Sequence, residues 1–273
     1  DGLDSKREIP MGQNAYPKQA ITYGCSVTQR IRHIKQPRGG FINPKSMEVN
    51  VLDQTYPLNA QENIHASLVG MAVDYLTRFM TGENIDKAFS ISILGATQIG
   101  ELEQAKILKK QIKGLDDQSI LSAIRLTGYD VCYRAGSIGY KPVMGICPNQ
   151  ETIQNVRIMV NRAICFLEQF GPKIIDGFTM DGGYTDMICS GDGDFITKDT
   201  LWDFKVSNTP PKKEHTLQLL IYWRMGLHSI YSEFQRIKYL GIYNPRTNTI
   251  YKTKVSDIPE TLIAYTEKEI IGY

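Results

Sequence analysis

One short stretch of the sequence constrains the fold more than any other. It holds two β-prone runs, 195–197 and 200–202, with only two polar residues between them. Short runs of this composition around a tight polar turn predict a β-hairpin. Pairing the strands about that turn places Asp194 directly across from Asp203, with Cβ atoms roughly 4.5–5.5 Å apart. Two carboxylates at that spacing repel each other, so the pair needs a compensating positive charge.

A divalent cation held between Asp194 and Asp203 would supply that charge. Lys205 lies two residues beyond Asp203 and therefore projects from the same face of the strand. The backbone carbonyl of Phe204 offers a further oxygen ligand. Carboxylate oxygens suit Mg²⁺, which usually takes one or two protein carboxylates together with substrate phosphate. Such a metal polarises a phosphoryl oxygen and activates a bound water, so this stretch contains the groups needed to hydrolyse a phosphodiester.

Other interpretations of these residues stay open at the level of sequence. Asp186 is an alternative first carboxylate of the hairpin, and a loop longer than two residues would keep the same register. Asp194 and Asp203 could also be solvated charges on an exposed strand. Lys205 would then form a surface ion pair with Asp192, of little value to stability.

A helical pattern follows the hairpin, and in it Gln218 and Tyr222 share one face because they are four residues apart. Asp194 with the Asp-Phe-Lys run 203–205 matches the D…(D/E)xK signature of the PD-(D/E)XK nuclease superfamily. Gln218-x-x-x-Tyr222 matches the QxxxY helix of its RecB-like and lambda-exonuclease-like branch. The chain resembles that branch over residues 174–255.

The resemblance implies an α/β fold with a restriction-endonuclease-like core, a central mixed β-sheet flanked by helices, with a helical N-terminal elaboration. It implies Mg²⁺ or Mn²⁺ bound by Asp194, Asp203 and the Phe204 carbonyl. Asp74, four residues after a glycine on an upstream helix, is implied as a third acidic ligand. The signature's usual proline before the first aspartate is replaced here by Gly193.

The activity implied is metal-dependent hydrolysis of phosphodiester bonds, with DNA as the expected substrate, in repair, recombination, phage replication or antiviral defence. Lys205 would activate water or stabilise charge, while Gln218 and Tyr222 would position the phosphate. Exonuclease and endonuclease action both stay open, as do a homo-oligomer and a larger nuclease complex. Two rival functions remain: a nucleic-acid-binding scaffold that keeps the fold without catalysis, and an enzyme acting on a nucleotide or other phosphate ester.

Composition limits where nucleic acid could bind. The net charge of the 273 residues is only +2, so binding has to come from local patches. The candidate patches are Lys109 and Lys110 with Lys113, the pair Lys212 and Lys213, and Arg224. The pair Lys212 and Lys213 adjoins the proposed site in sequence and could contact a phosphate. No run reaches the length of a membrane-spanning helix, and we expect a cytoplasmic protein. Five scattered cysteines show no ligand spacing, so no iron–sulfur cluster is expected.

The pattern of apolar and turn residues predicts how the chain is organised. Residues 1–57 are predicted to form an arm or cap, and 58–273 a single nuclease-like domain with a helical insertion around 83–150. A capping-box pattern at 59–62 predicts a helix running to about residue 80. Further helices are predicted at 100–113, 116–127, 151–170 and 214–230, and strands at 174–175, 184–189, 194–197, 200–206, 239–243 and 249–254.

Overall fold

The structure of the chain is a computed structural model that describes residues 16–273. The first 15 residues of the predicted arm lie outside the described residues. The strands are β1 (Cys25–Ser26), β2 (Glu48–Val51), β3 (Ile175–Phe178), β4 (Ile188–Ser190), β5 (Gly193–Ile196), β6 (Thr200–Phe204), β7 (Tyr239–Asn244) and β8 (Thr249–Lys254). The α-helices are α1 (Val27–Arg32), α2 (Ala66–Met80), α3 (Ile85–Ala88), α4 (Ser90–Gln98), α5 (Leu102–Gln111), α6 (Asp117–Thr127), α7 (Asp130–Ala135), α8 (Gln150–Phe170), α9 (Lys213–Leu227) and α10 (Glu260–Tyr265).

Six of these strands form a mixed sheet with the order β2-β8-β7-β6-β5-β3. Strands β6 and β7 run parallel, and the other neighbours run antiparallel. Parallel neighbours require a crossover connection, and α9 provides it between β6 and β7. The chain is therefore α/β, with a central mixed sheet flanked by helices, as the sequence predicts.

The face of the sheet that packs against α8 is aromatic. The ring of Phe166 on α8 stacks on Tyr243, with centroids 4.0 Å apart, and meets the edge of Trp202 at 4.9 Å. Side chains alternate along β6, so Leu201 packs in the opposite cluster, with the residues of α9. The same alternation directs Asp203 and Lys205 to the α9 side of the sheet.

Helix α9 is buried on almost every side, because it lies between the sheet and the C-terminal segment. Leu220 and Ile221 are fully buried in one cluster with Ile196 and Leu201 of the sheet. Ile270 closes that cluster, which also includes residues of α1. This placement explains why apolar residues lie on nearly all faces of α9 rather than along a single face.

A second apolar cluster lies among the helices that precede the central strands. Val69, Val73 and Leu76 of α2 pack there against residues of α5, α6 and α8. Helix α2 is thus held in the helical layer, and its C-terminal half reaches the sheet near Asp194. Among residues 16–273, no helix combines the length and apolar character needed to cross a lipid bilayer.

The segment before residue 58 differs from the arm or cap that the sequence predicts. Its described part contributes β2, an edge strand that pairs Glu48 with Lys252 of β8. Val27 and Met47 are buried in the core beside α9. The Thr216 hydroxyl donates a hydrogen bond of 2.7 Å to the Ile42 carbonyl. Residues 16–57 are therefore an integral part of the fold.

Two predicted elements begin or end elsewhere. Helix α2 starts at Ala66 with His65 as its N-cap, because the supposed capping residues 59–62 have distant partners. The Asn59 backbone N–H donates to Asn155, and Glu62 forms an ion pair with Arg246. The strand predicted over 184–189 is observed as β4, which among residues 16–273 pairs with β1 alone. The remaining predicted helices and strands lie within a few residues of their observed bounds.

Candidate active site

The predicted hairpin forms with the predicted register. Phe195 pairs with Trp202, and Ile196 pairs with Leu201, so the next positions outward carry Asp194 and Asp203. The two-residue turn is closed by a hydrogen bond of 3.0 Å from the Thr197 N–H to the carbonyl of residue 200. Asp194, rather than the alternative Asp186, is therefore the residue opposite Asp203.

Asp194 is held in place by two donors from different elements. Its Oδ2 accepts the Phe204 backbone N–H at 2.7 Å, and its Oδ1 accepts from Arg78 Nη2 at 3.3 Å. Burial and the nearby charge of Asp203 raise the pKa of Asp194 to about 6, although Arg78 acts in the opposite direction. The two hairpin acids are thus close enough to repel, as the sequence predicts.

Asp203 is 5% exposed and contributes an unsatisfied oxygen to the site. Its Oδ2 accepts no hydrogen bond from the described residues, although the Lys205 ammonium lies 3.1 Å away. The contact is an ion pair whose geometry is not that of a hydrogen bond. A buried carboxylate oxygen in this state is expected to have a further partner.

Lys205 belongs to a chain of polar contacts that runs into α9. Its Nζ donates to Gln218 Oε1 at 3.4 Å, and Gln218 Nε2 donates to the Tyr222 hydroxyl at 2.9 Å. That hydroxyl donates to the Asp192 carbonyl at 2.8 Å. Burial alone would lower the pKa of Lys205, but Asp203 and Asp194 outweigh it and raise that pKa. Lys205 pairs with Asp203 rather than with the Asp192 side chain.

Asp74 also lies near the hairpin acids, but it has a cationic partner of its own. Asp74 Oδ1 accepts from Arg78 Nε at 2.9 Å, so one guanidinium contacts both Asp74 and Asp194. Burial raises the pKa of Asp74 and Arg78 opposes that rise. Asp74, and then Asp194, raise the pKa of Arg78 against the effect of burial.

The arrangement fits a metal held by two carboxylates better than one held by three. Within residues 16–273, no group of three or more His, Cys, Asp and Glu side chains is arranged to hold a metal ion. Mg²⁺ commonly binds one or two protein carboxylates and fills its other positions with water and phosphate. Asp194 and Asp203, which lie across the hairpin from each other, are the pair suited to that role.

A shallow opening lies between α2 and the end of β6, and neither Asp194 nor Asp203 lines it. A cavity of about 250 Å³ is lined by residues 66–74 of α2 on one side and by 204–206 of the β6 end on the other. Asp74 and Lys205 both line it. Gly70 has no side chain on the α2 side of this cavity. A Cβ atom added there would lie 3.5 Å from its nearest neighbour, Val206.

The predicted nucleic-acid-binding residues separate into two groups. Lys212 and Lys213 stand at the start of α9, and Lys212 is exposed. Arg224 lies further along the helix, where its Nη2 is 2.7 Å from Glu267 and its guanidinium stacks on Trp223. The lysine pair thus lies at the N-terminal end of the helix that carries Gln218 and Tyr222, whereas Arg224 contacts the C-terminal segment.

Two residues near the site are absent from the sequence prediction. Arg78 could have been found from its i, i+4 spacing to Asp74, which is typical of helical ion pairs. His215 precedes Gln218 by three residues and shares its face of α9. Burial, and then the positive charge of Lys205, lower the pKa of His215 to about 4, so its ring is neutral at physiological pH.

No protein-family model, curated protein or solved structure matches the chain. The function is therefore inferred from the geometry of the site and from the sequence signature that it carries.

Proposed function

We propose that the chain is a divalent-metal-dependent nuclease of the PD-(D/E)XK type, acting on DNA through Asp194, Asp203 and Lys205. The observation that carries the proposal is the register of the β5–β6 hairpin. It sets two carboxylates across from each other and leaves one buried oxygen of Asp203 without a hydrogen bond. The sheet order and the α9 crossover are compatible with a restriction-endonuclease-like core.

Asp194 and Asp203 are the residues that would hold Mg²⁺ or Mn²⁺, with the Phe204 carbonyl as a further ligand. When bound, the metal would polarise a phosphoryl oxygen and make a bound water more nucleophilic. The Phe204 N–H fixes one oxygen of Asp194, which leaves Oδ1 as the oxygen available to exchange partners. Asp74 is proposed as an outer acid that acts through Arg78.

Lys205 is proposed to stabilise negative charge on the phosphate rather than to deprotonate water. Its pKa is raised, so the amine keeps its proton at neutral pH and cannot act as a base. Lysine has three N–H donors, and Gln218 takes one of them. The others can reach a water or a phosphate oxygen on the cavity side.

Gln218 and Tyr222 are proposed as positioning residues for Lys205. The amide of Gln218 links the ammonium to the Tyr222 hydroxyl, and the hydroxyl is anchored on the Asp192 carbonyl. This chain fixes a long, flexible side chain over the carboxylate pair without placing either α9 residue against the metal. Contact with the substrate phosphate would come from Lys205 and from the exposed Lys212.

One observation favours the rival function, a nucleic-acid-binding protein without catalysis. Arg78 already neutralises part of the acid cluster through its contacts with Asp74 and Asp194. An acid cluster satisfied by its own arginine does not need a metal to be stable. The experiment below separates the two functions.

Purified protein should be incubated with labelled linear, circular and single-stranded DNA and with RNA, in Mg²⁺, Mn²⁺ or EDTA. We expect DNA cleavage that requires the metal and that Asp203→Asn and Lys205→Ala each lower by about 100-fold or more. Lys110→Ala, an exposed lysine of α5, is the matched control and should cut like the parent.

Intact substrates under every condition, or full cleavage by both site variants, would contradict the nuclease assignment. Binding of DNA that ignores both metal and Lys205→Ala would instead support the scaffold. Cleavage of mononucleotide esters but not of polymers would indicate that the substrate is a nucleotide or another small phosphate ester.

A further inference from the structure

Arg78 lies between two acids of the site. It is on α2, one turn beyond Asp74, and its Nε is 2.9 Å from Asp74 Oδ1. Its Nη2 is 3.3 Å from Oδ1 of Asp194 on β5, a residue 116 positions later in the chain. The Arg78 side chain is only 24% exposed. A single guanidinium thus joins the helical layer to the catalytic hairpin.

The charges around the hairpin explain why an arginine is stable there. Three carboxylates, those of Asp74, Asp194 and Asp203, face two cations, Arg78 and Lys205. With all five groups ionised the cluster has a net charge of −1, since three negative charges meet two positive ones. Without Arg78 the net charge would be −2. Arg78 therefore lowers the attraction of the cluster for any further cation.

Arg78 also occupies the oxygen that a metal would use. The Phe204 N–H holds Oδ2 of Asp194 at 2.7 Å, so Oδ1 is the freer oxygen, and Arg78 contacts it. A divalent cation and a guanidinium at the same oxygen repel each other and compete for its lone pairs. Binding of the cation to Oδ1 requires that the contact with Arg78 lengthen or break.

We propose that Arg78 is a resident counter-cation that competes with the divalent metal for Asp194 and so sets the metal affinity of the site. The inference rests on the metal site of the proposed function. In the metal-free protein Arg78 contacts both Asp74 and Asp194. In the metal-bound protein it keeps its contact with Asp74 and loses its contact with Asp194. The site then binds the metal more weakly than the same carboxylates would bind it in the absence of Arg78.

The test is direct Mn²⁺ titration of metal-free protein, followed by calorimetry or electron paramagnetic resonance, without substrate. Arg78→Gln removes the charge, and we expect it to bind Mn²⁺ roughly tenfold more tightly or better. Arg78→Lys keeps the charge but not the two-point contact of the guanidinium, so its Mn²⁺ affinity should lie between those of the parent and Arg78→Gln. Arg157→Gln is the matched control, because Arg157 is also 24% exposed and also pairs with an aspartate, Asp117.

Circular dichroism should first show that each variant is folded, since Arg78→Gln leaves Asp74 and Asp194 without their cation. Mn²⁺ should then raise the melting temperature of Arg78→Gln by more than that of the parent. Equal Mn²⁺ affinity in folded Arg78→Gln and the parent would overturn the inference and leave the nuclease proposal standing. Absence of Mn²⁺ binding by the parent, or binding unchanged by Asp203→Asn, would overturn the metal site itself.

Discussion

At the scale of single residues, Asp194 binds its proton more tightly in the folded protein than in an unfolded chain. Burial and Asp203 raise its pKa from 3.8 to about 6. A carboxyl whose pKa is raised by folding stabilises the native state fully below its unfolded pKa. That contribution is lost as the pH rises through about 6. The Asp194 carboxylate therefore contributes least to the stability of the metal-free protein at neutral and higher pH, where it is ionised.

We therefore predict that Asp194→Asn is more stable than the parent in EDTA near neutral pH. The gain has an upper limit of about 3 kcal/mol, since tenfold tighter proton binding corresponds to about 1.4 kcal/mol. Loss of the Arg78 contact will reduce it. The gain should shrink as the pH falls towards about 4, where the parent carboxyl becomes neutral too.

Thermal unfolding followed by circular dichroism across this pH range measures the difference. Asp192→Asn, two residues away, controls for the same chemical change outside the acid pair. A variant that is less stable than the parent at every pH would show that the contacts of Asp194 outweigh its burial.

The contacts of Arg78 show why part of the site could not be predicted from sequence. The carboxylate pair follows from a two-residue turn and strand alternation, which are local rules. The contact of Arg78 with Asp194 joins residues 116 positions apart and depends on how α2 packs over the sheet. The i, i+4 spacing indicates that Arg78 could pair with Asp74, but no local pattern indicates that the same guanidinium would also contact Asp194.

At the scale of elements, strong local patterns predicted the central strands and the longer helices. They did not individually predict the shorter elements α1, α3, α4, α7, α10, β1 and β2. The β5–β6 and β7–β8 hairpins, α6, α8 and α9 are each bounded by turn or capping signals, such as Asp116 at the start of α6. Some predictions were wrong because residues that resemble a local motif instead contact residues far away in the sequence. Asn59 and Glu62 resemble a helix cap, yet they bind Asn155 and Arg246. The edge strand β2 has exposed side chains throughout, so it lacks the alternation that reveals a strand.

The packing of α9 gives a prediction for the element that carries Gln218 and Tyr222. A Cβ atom at Gly226 would lie 2.0 Å from Phe234, which is fully buried. Overpacking of this kind typically costs about 1–3 kcal/mol, and here the clash is with a ring that has little room to move. We expect Gly226→Ala to lower the free energy of unfolding by at least about 2 kcal/mol.

Gly70→Ala is the matched helical control, because the nearest atom would be 3.5 Å from its Cβ. That variant should be neutral or up to about 1 kcal/mol more stable, as alanine favours a helix over glycine. Urea denaturation of both proteins gives the comparison. Equal stability of the two variants would mean that Phe234 yields easily and that α9 is less firmly packed than its burial indicates.

At the scale of the whole molecule, the near-neutral net charge of +2 predicts weakly salt-dependent binding to DNA. Few phosphates can be neutralised when the available cations are confined to local clusters. The Lys212 and Lys213 pair lies at the start of α9, the helix that carries Gln218 and Tyr222. Replacing both with glutamine should weaken binding to all sequences alike and reduce the salt slope by about 1–2.

Fluorescence anisotropy of a labelled oligonucleotide across a KCl series in EDTA measures that slope. The control is the double replacement of Lys109 and Lys110 on α5, a helix that packs against α4 and α6 rather than α9. If the salt slope is unchanged by the Lys212 and Lys213 replacements, DNA binds elsewhere on the surface.

The sheet that carries the β5–β6 hairpin contains strands from both ends of the described chain. Strand β2 pairs with β8 across about 200 residues of sequence, and β6 lies against β7. Because a protein is synthesised from its N-terminus, Asp74 leaves the ribosome long before the strands that bear the other acids have neighbours. A half-made chain therefore lacks the assembled acid cluster, which can form only after the strands that carry Asp194 and Asp203 have been synthesised.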